Sequence, residues 1–145
     1  MPHVPPPLIG LVAGVVQHRL ASGSRPGVLR KLGAVGATAA SGWMVAGSIQ
    51  RFRTSGTTVD PLRPARASGL VTSGPNGVTR NPMYVGMAGV LVAHGLVRGG
   101  WRTALPVAAF VGIIDRVQIR PEEAALRELF GEEYDAYCGR VRRWL

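Results

Sequence analysis

The chain is 145 residues long, which suits one domain (residues 1–145) and leaves no room for a separate soluble module. It is 46% apolar and only 17% charged, with 20 glycines, whereas a soluble all-helical protein normally carries more charge. The net charge of +9 is distributed between apolar runs rather than along one helix face, which argues against a nucleic-acid partner and favours basic residues flanking membrane spans.

The first two apolar segments differ in strength. Residues 5–20 form a weak segment, because only residues 8–16 are strongly apolar, so we expect a tilted or shallow helix. The segment lacks the basic region and cleavage site of a secretory signal, and we expect it to be retained. Residues 31–50 are bracketed by basic residues and contain a long uncharged run, so they are predicted to span the membrane. Small residues on this segment could allow close helix packing: Gly33, Gly36, Ala40 and Gly47.

A polar loop and a helical hairpin follow. The loop, residues 52–81, contains three prolines and is too long for a simple connection in a protein of this size. Residues 82–98 and 101–119 are apolar and are separated by a tight turn at Gly99-Gly100. They are therefore predicted to be the third and fourth transmembrane helices.

The tail, residues 120–145, is amphipathic. Its apolar residues recur every three or four positions, with a possible break at Gly131. This stripe comprises Leu126, Phe130, Tyr134, Tyr137, Val141 and Trp144. We expect the tail to lie on the membrane surface or to fold back against the polar loop.

Counting spans places the loop and the tail on the same side of the membrane, and that side collects most of the arginines. The positive-inside rule then makes both cytoplasmic, in an inner (plasma) membrane protein. Basic residues in the first turn, Arg25, Arg30 and Lys31, weaken this assignment without reversing it. The predicted fold is all-α: a membrane bundle of about four transmembrane helices with a cytosolic amphipathic tail, in which the hairpin brings loop and tail together.

Several runs between residues 56 and 145 match a known sequence pattern in their order and spacing. They are Gly56-Thr57-Thr58-Val59-Asp60-Pro61, Leu70-Val71-Thr72-Ser73-Gly74-Pro75, Thr79-Arg80-Asn81-Pro82-Met83-Tyr84-Val85-Gly86-Met87, and Glu122-Glu123 with Phe130-Gly131-Glu132-Glu133-Tyr134, Tyr137 and Arg143-Trp144-Leu145. Together they resemble the isoprenylcysteine carboxyl methyltransferase family, a phospholipid methyltransferase-like family of integral membrane methyltransferases. The resemblance covers roughly residues 52–145.

The resemblance implies methyl transfer from S-adenosylmethionine to a lipophilic or membrane-embedded acceptor. By motif position, the cofactor-binding residues are Ser68, Gly69, Leu70, Val71, Asn81, Pro82, Met83, Tyr84 and Glu122. Glu122 would pair with the cofactor's ammonium group, and Tyr84 could pack on its adenine or ribose. The helix that begins near Asn81-Pro82 would offer unpaired amides to the cofactor carboxylate.

Two arginines near Glu122 are candidate catalytic residues. Arg116 and Arg120 could steady an acidic acceptor, and Arg116 is expected to pair with Asp115. Methyl transfer otherwise needs mainly positioning and exclusion of water. Glu123 is expected to be structural, and no residues have the spacing of metal ligands.

Two departures from the family pattern bear on these expectations. Asn76-Gly77 stands where an aromatic residue is common, and Asn81 stands where eukaryotic relatives carry histidine. Two other functions therefore stay open. One is a membrane reductase that binds a nicotinamide cofactor, and the other is a non-catalytic protein of the same fold.

Overall fold

The structure, a computed structural model, describes residues 4–56 and 69–145. All regular elements in these ranges are helical, which confirms the predicted all-α class for the described residues. The five α-helices are α1 (Pro6–Leu20), α2 (Val28–Thr54), α3 (Pro82–Arg98), α4 (Ala104–Ile114) and α5 (Arg120–Arg140). A π-helical turn, Asp115–Ile119, joins α4 to α5, and short 3-10 turns lie at Gly74–Gly77 and Trp101–Thr103.

Helix α1 packs against α3 and α4 and is held by a buried glutamine. The Gln17 side chain is fully buried, and its Nε2 donates to the carbonyls of Leu91 (2.9 Å) and Thr103 (2.8 Å). Its Oε1 lies 2.7 Å from Nδ1 of His94, whose ring stacks on that of His18. Because a buried amide must satisfy both its donors and its acceptor, this network fixes the register of α1 against the hairpin.

Helices α2 and α3 form the most extensive helix pair, and the close approach depends on glycines of α3. A Cβ atom added at Gly86 would lie 2.5 Å from Cγ2 of Val45 and 3.1 Å from the Ser41 carbonyl oxygen. On α2, only part of the predicted face of small residues contacts other elements. Gly33 and Gly47 contact Leu96 and Pro75, whereas nothing lies within 4 Å of the Cβ position at Gly36 and Ala40 is exposed.

Helix α4 continues through the π-helical turn into the start of α5, with a local change of winding. The Arg120 amide bonds to the Asp115 carbonyl, five residues back, which is the π-helical pattern. Pro121 follows at once, and its ring would clash with a carbonyl four residues earlier in a regular α-helix. The wider turn relieves this clash and reorients the start of α5.

The tail folds back on the polar loop. Tyr134, Tyr137 and Val141 are buried together, with Leu70 of the loop and Phe130 packed against them. The predicted stripe is thus confirmed as a packing face, although Trp144 joins the core of the helical bundle instead. Gly131 has φ 47° and ψ −120°, so the predicted interruption is also found, within α5.

Much of the surface of the helical bundle is apolar. Leu11, Leu29, Leu32 and Val35 are each more than 60% exposed, on α1 and α2. Among the described residues, α2 is the one helix long and apolar enough to cross a membrane, and only 22% of its apolar window is buried within the protein. The helices lie where the four segments were predicted, while membrane spanning by all four stays a prediction.

Candidate functional site

The polar loop and the C-terminal segment meet at the N-terminal end of α3, as predicted from the hairpin. The Arg80 amide donates to the Arg142 carbonyl (2.8 Å). The Arg143 carbonyl accepts from both the Thr79 hydroxyl and the Asn81 side-chain amide, each at 3.0 Å. Segments more than 60 positions apart in the chain therefore form one wall of the candidate site.

Glu122 lies at the centre of this site. Its Oε1 accepts a hydrogen bond from the Tyr84 hydroxyl (2.6 Å) and another from Gln118 Nε2 (2.7 Å). Burial raises the pKa of Glu122 to about 7, and the nearby charge of Glu123 acts in the same direction, although the two hydrogen bonds oppose the shift. The carboxylate is thus held in place through one oxygen while its ionisation is poorly compensated, which suits a site for a cationic group.

Glu123 has a different environment from its neighbour. Its carboxylate pairs with Arg80 (2.7 Å) and Arg143 (2.7 Å), and the side chain is only 10% exposed. Burial opposes ionisation, but hydrogen bonds and charge from these two arginines outweigh it and lower the pKa of Glu123. This ion-pair cluster binds the loop, α5 and the C-terminal segment together, in agreement with the structural role expected for Glu123.

The predicted ion pair between Asp115 and Arg116 is wrong. Asp115 instead pairs with Arg120 (3.2 Å) and Arg143 (3.3 Å), and accepts a hydrogen bond from the Trp144 indole (3.2 Å). Neighbouring residues on a helix point in different directions, whereas the π-helical turn brings positions five apart onto one side. Arg116 is exposed and forms no ion pair with the described residues.

The start of α3 shows which amides remain free. The amides of Tyr84 and Val85 donate to the Asn81 carbonyl, at 3.1 and 3.0 Å, so they are already used. Pro82 has no amide proton, and the Met83 amide has no acceptor among the described residues. Of the unpaired amides expected at this helix start, the Met83 amide is therefore the one that remains free.

Tyr84 and Asn81 are both largely buried. The Tyr84 ring is 5% exposed and packs in the core with Phe110, Ile114 and Ile119. Its hydroxyl donates to Glu122, and the ring face is largely covered by these core residues. Asn81 is 9% exposed and binds the C-terminal segment through its side chain.

The predicted loop contacts are only partly described. Ser68 lies outside the described residues, as does most of the 56–61 run. Gly69 is half-buried with open space at its Cβ position, whereas Leu70 packs on the tail cluster and Val71 is buried.

The unusual Asn76 is a structural residue. It is buried, its Oδ1 accepts from the Ser48 hydroxyl (3.1 Å), and its carbonyl accepts from Tyr137 (2.5 Å). A phenylalanine side chain could not make the bond to Ser48. The departure at this position is thus accounted for by a bridge between α2, the loop and the tail.

An apolar groove of about 420 Å³ opens beside the polar cluster. It is lined by small and apolar residues of α2, α3 and α4, among them Met44, Val85 and Val111, and by Trp144 and Leu145 at its C-terminal wall. Trp144 therefore connects the two environments, because its ring lines the groove while its indole N–H bonds to Asp115.

Sequence reasoning missed Gln118, Arg80 and Arg143 as members of the site. Gln118 could have been found, since it lies four residues before Glu122 and such positions face each other on a helix. The arginines carried no local signal, because their partner Glu123 is 43 and 20 positions away.

Comparison with known proteins gives the chain a family context. The phospholipid methyltransferase family model matches residues 29–133, well over half of the chain. A protein of Haemophilus influenzae, described as uncharacterized, is 40% identical over 63 residues, which is 43% of this chain and all of that protein. No solved structure matches the chain.

Proposed function

The chain belongs to the phospholipid methyltransferase family, and from that premise we propose that it transfers a methyl group from S-adenosylmethionine to a lipophilic acceptor held in the membrane. Family membership indicates a methyltransferase with a membrane substrate. The observation that carries the cofactor assignment is Glu122. Its Oε1 is held by two donors, while its Oε2 has no partner among the described residues and is free to accept an ammonium group.

The membrane setting of the proposal is a single domain with four spans at residues 5–20, 31–50, 82–98 and 101–119. The exposed apolar faces of α1 and α2 support it, because water would disfavour so much contiguous apolar surface. The fourth span gains length from the π-helical turn, which continues α4 without a break into α5. We propose that loop and tail face the cytoplasm of a plasma-membrane protein.

The residues present fit the cofactor. Glu122 offers a carboxylate oxygen to the cationic ammonium group, and the Met83 amide offers a donor to the carboxylate at the positive end of α3. We propose that Ser68, Gly69, Leu70, Val71, Asn81, Pro82 and Met83 form the rest of this site. Tyr84 then belongs to it as a positioning residue, which fixes the Glu122 carboxylate through its hydroxyl.

When bound, S-adenosylmethionine supplies an electrophilic methyl group, so the protein's own work is to bind, orient and exclude water. We propose that the apolar groove takes the hydrocarbon part of the acceptor. Its polar end would then lie near the Asp115–Trp144 contact, where the Arg120 guanidinium is held by Asp115. Arg120, and Arg116 one turn earlier, would steady an acidic acceptor group.

The cofactor assignment is tested by thermal unfolding of detergent-purified protein with candidate ligands. We expect S-adenosylmethionine and S-adenosylhomocysteine to raise the unfolding temperature, since a ligand at 100 times its Kd stabilises by about 2.7 kcal/mol. NADPH should have no effect. A response to NADPH alone would identify a reductase, and silence to all three ligands would indicate a non-catalytic protein.

The role of the arginines is tested by methyl transfer to a membrane lipid extract. Arg116→Gln and Arg120→Gln should each lower kcat while leaving the Kd for S-adenosylhomocysteine unchanged. Arg127→Gln is the matched control, because Arg127 also pairs with an aspartate, Asp135, but on the exposed part of the tail. Equal activity in all three variants would remove the arginines from the mechanism.

A further inference from the structure

The end of the helical bundle remote from Glu122 is a separate surface. Here the turn between α1 and α2 meets the turn between α3 and α4, since the Ser22 amide donates to the Gly99 carbonyl (3.0 Å). Arg30 joins the two turns from α2, with its Nε on the Leu96 carbonyl (2.7 Å). With 17 residues, α3 separates this end from Asn81 by about 25 Å.

This surface has a concentration of positive charge that the chain itself does not balance. Five basic residues, which we call the basic end, lie on or beside the two turns: Arg19, Arg25, Lys31, Arg98 and Arg102. Seven of the eight acidic residues lie between positions 115 and 135, at the far end of α4 and in the tail, and the eighth is Asp60. No carboxylate in the described part of the chain pairs with the basic end. Because like charges repel, an anionic partner would stabilise this cluster.

Arg98 indicates where on the basic end an anionic partner would bind. Its Nε is buried and has no hydrogen-bond acceptor among the described residues. A guanidinium N–H that is shielded from water and unpaired is unfavourable, so a change of the Arg98 rotamer that brings this N–H to an acceptor outside the chain would be favourable. His94, one turn earlier on α3, stacks on His18 with ring centroids 5.8 Å apart, and its Nδ1 is engaged with Gln17, so the two rings pack beside Arg98 without pairing with it.

The rim of the basic end is apolar, and this decides the class of partner. Trp101 is 75% exposed, with the Arg102 guanidinium 5.8 Å above its ring. Val28 and Leu29, at the start of α2, are 73% and 84% exposed. Tryptophan and arginine beside exposed aliphatic residues, at the ends of apolar helices, are typical of the headgroup level of a bilayer. A nucleic acid would make no use of the aliphatic residues.

We propose that the basic end binds the phosphate groups of anionic phospholipids, with Nε of Arg98 donating to a headgroup oxygen. The proposal rests on the membrane setting given above and is independent of methyl transfer. It adds a lipid-binding surface at the end of the bundle opposite the cofactor site.

The test uses full-length protein in the neutral detergent dodecyl maltoside, titrated with dioleoyl phosphatidylglycerol or dioleoyl phosphatidylcholine. We expect phosphatidylglycerol to raise the unfolding temperature and phosphatidylcholine to have little effect. The triple variant Arg19→Gln, Arg25→Gln, Arg102→Gln should lose more than half of that rise. Lipid molecules retained in native mass spectra should fall with it.

The control triple Arg53→Gln, Arg140→Gln, Arg142→Gln removes the same charge from exposed arginines near the other end of the bundle. It should respond to phosphatidylglycerol as the wild type does. A single variant, Arg98→Gln, should weaken the response, and Arg98→Lys should weaken it similarly, because lysine has no Nε–H in the buried position.

Several results would overturn the proposal. One is an equal loss of the phosphatidylglycerol response in both triple variants, which would mean that only net charge matters. Another is an equal rise of the unfolding temperature with inorganic phosphate at the same concentration, which would indicate a site for free anions. A third is selective binding of a short DNA duplex in place of lipid. Unchanged S-adenosylhomocysteine binding in the basic-end triple keeps this test separate from the proposed methyl transfer.

Discussion

Replacing Glu122 with glutamine should make the protein more stable and unable to bind its cofactor. Burial raises the pKa of this carboxyl from 4.5 to about 7 in the folded protein. Below pH 4.5 the group is protonated in both states and has no effect on stability. Between pH 4.5 and pH 7 the unfolded chain ionises while the folded protein keeps its proton, so stability falls over this range and stays lower above pH 7.

The size of the effect follows from this shift. The rise in the pKa of Glu122 from 4.5 to about 7, at 1.36 kcal/mol per pKa unit, gives an upper limit of about 3 kcal/mol for the loss of stability. Residual solvent access to Glu122 reduces this loss to about 2 kcal/mol. Glutamine is neutral and keeps an oxygen for the Tyr84 hydroxyl. We therefore expect Glu122→Gln to unfold roughly 5 °C higher than wild type at pH 8 and within about 2 °C of it at pH 5.

The assay is thermal unfolding in neutral detergent at both pH values, with calorimetric titration of S-adenosylhomocysteine on the same samples. The variant should show no binding at concentrations that saturate the wild type. If Glu122→Gln were no more stable than wild type at pH 8, or gained equally at pH 5, the reasoning about its buried charge would be refuted. Retained affinity would remove Glu122 from the cofactor site.

Three other changes test the site and the packing around it. Wild-type affinity for S-adenosylhomocysteine should rise about tenfold between pH 6 and pH 8 as Glu122 ionises. Tyr84→Phe should move the midpoint of this pH dependence above pH 7, because the charged carboxylate loses a hydrogen bond. Glu123→Ala removes the carboxylate that pairs with Arg80 and leaves Arg143 with Asp115 alone, so it should lower the unfolding free energy by about 3 kcal/mol and expose the tail to proteolysis. Gly86→Ala should destabilise the α2–α3 contact by about 1–3 kcal/mol, measured by chemical unfolding.

Matched controls separate these effects from general damage. Glu128→Ala removes an exposed tail carboxylate and should leave both stability and proteolysis unchanged. Gly42→Ala adds a Cβ to α2 where nothing lies within 4 Å, and should be neutral or slightly stabilising. Comparable losses in the controls would contradict the assignment of these contacts.

Patterns that act over a few residues could be predicted from the sequence. The apolar runs and their polar boundaries located the helices closely, as the third segment shows: residues 82–98 were expected and α3 is Pro82–Arg98. The tail stripe and the break at Gly131 also followed from local periodicity and from glycine's freedom at positive φ.

The environment of each candidate site residue depended on contacts between distant segments. Glu122 and Glu123 are neighbours with the same chemistry, yet one faces a tyrosine and a glutamine while the other lies between two arginines. The partners come from α3, from the π-helical turn, from the loop and from the C-terminal segment. Local spacing cannot decide which of two adjacent carboxylates receives a countercharge.

What the sequence determined by itself was the class of the chain: an all-helical protein with long apolar segments, a family pattern and a polar surface at one end of a hairpin. Only the tertiary structure decided that Asp115 pairs with Arg120 and Arg143 rather than Arg116, that the Tyr84 ring is closed off, and that Asn76 is a structural bridge. The physical reason is that helix formation and apolar partitioning depend on neighbouring residues, whereas charge pairing and burial depend on which distant groups the packed helices bring within a few ångströms.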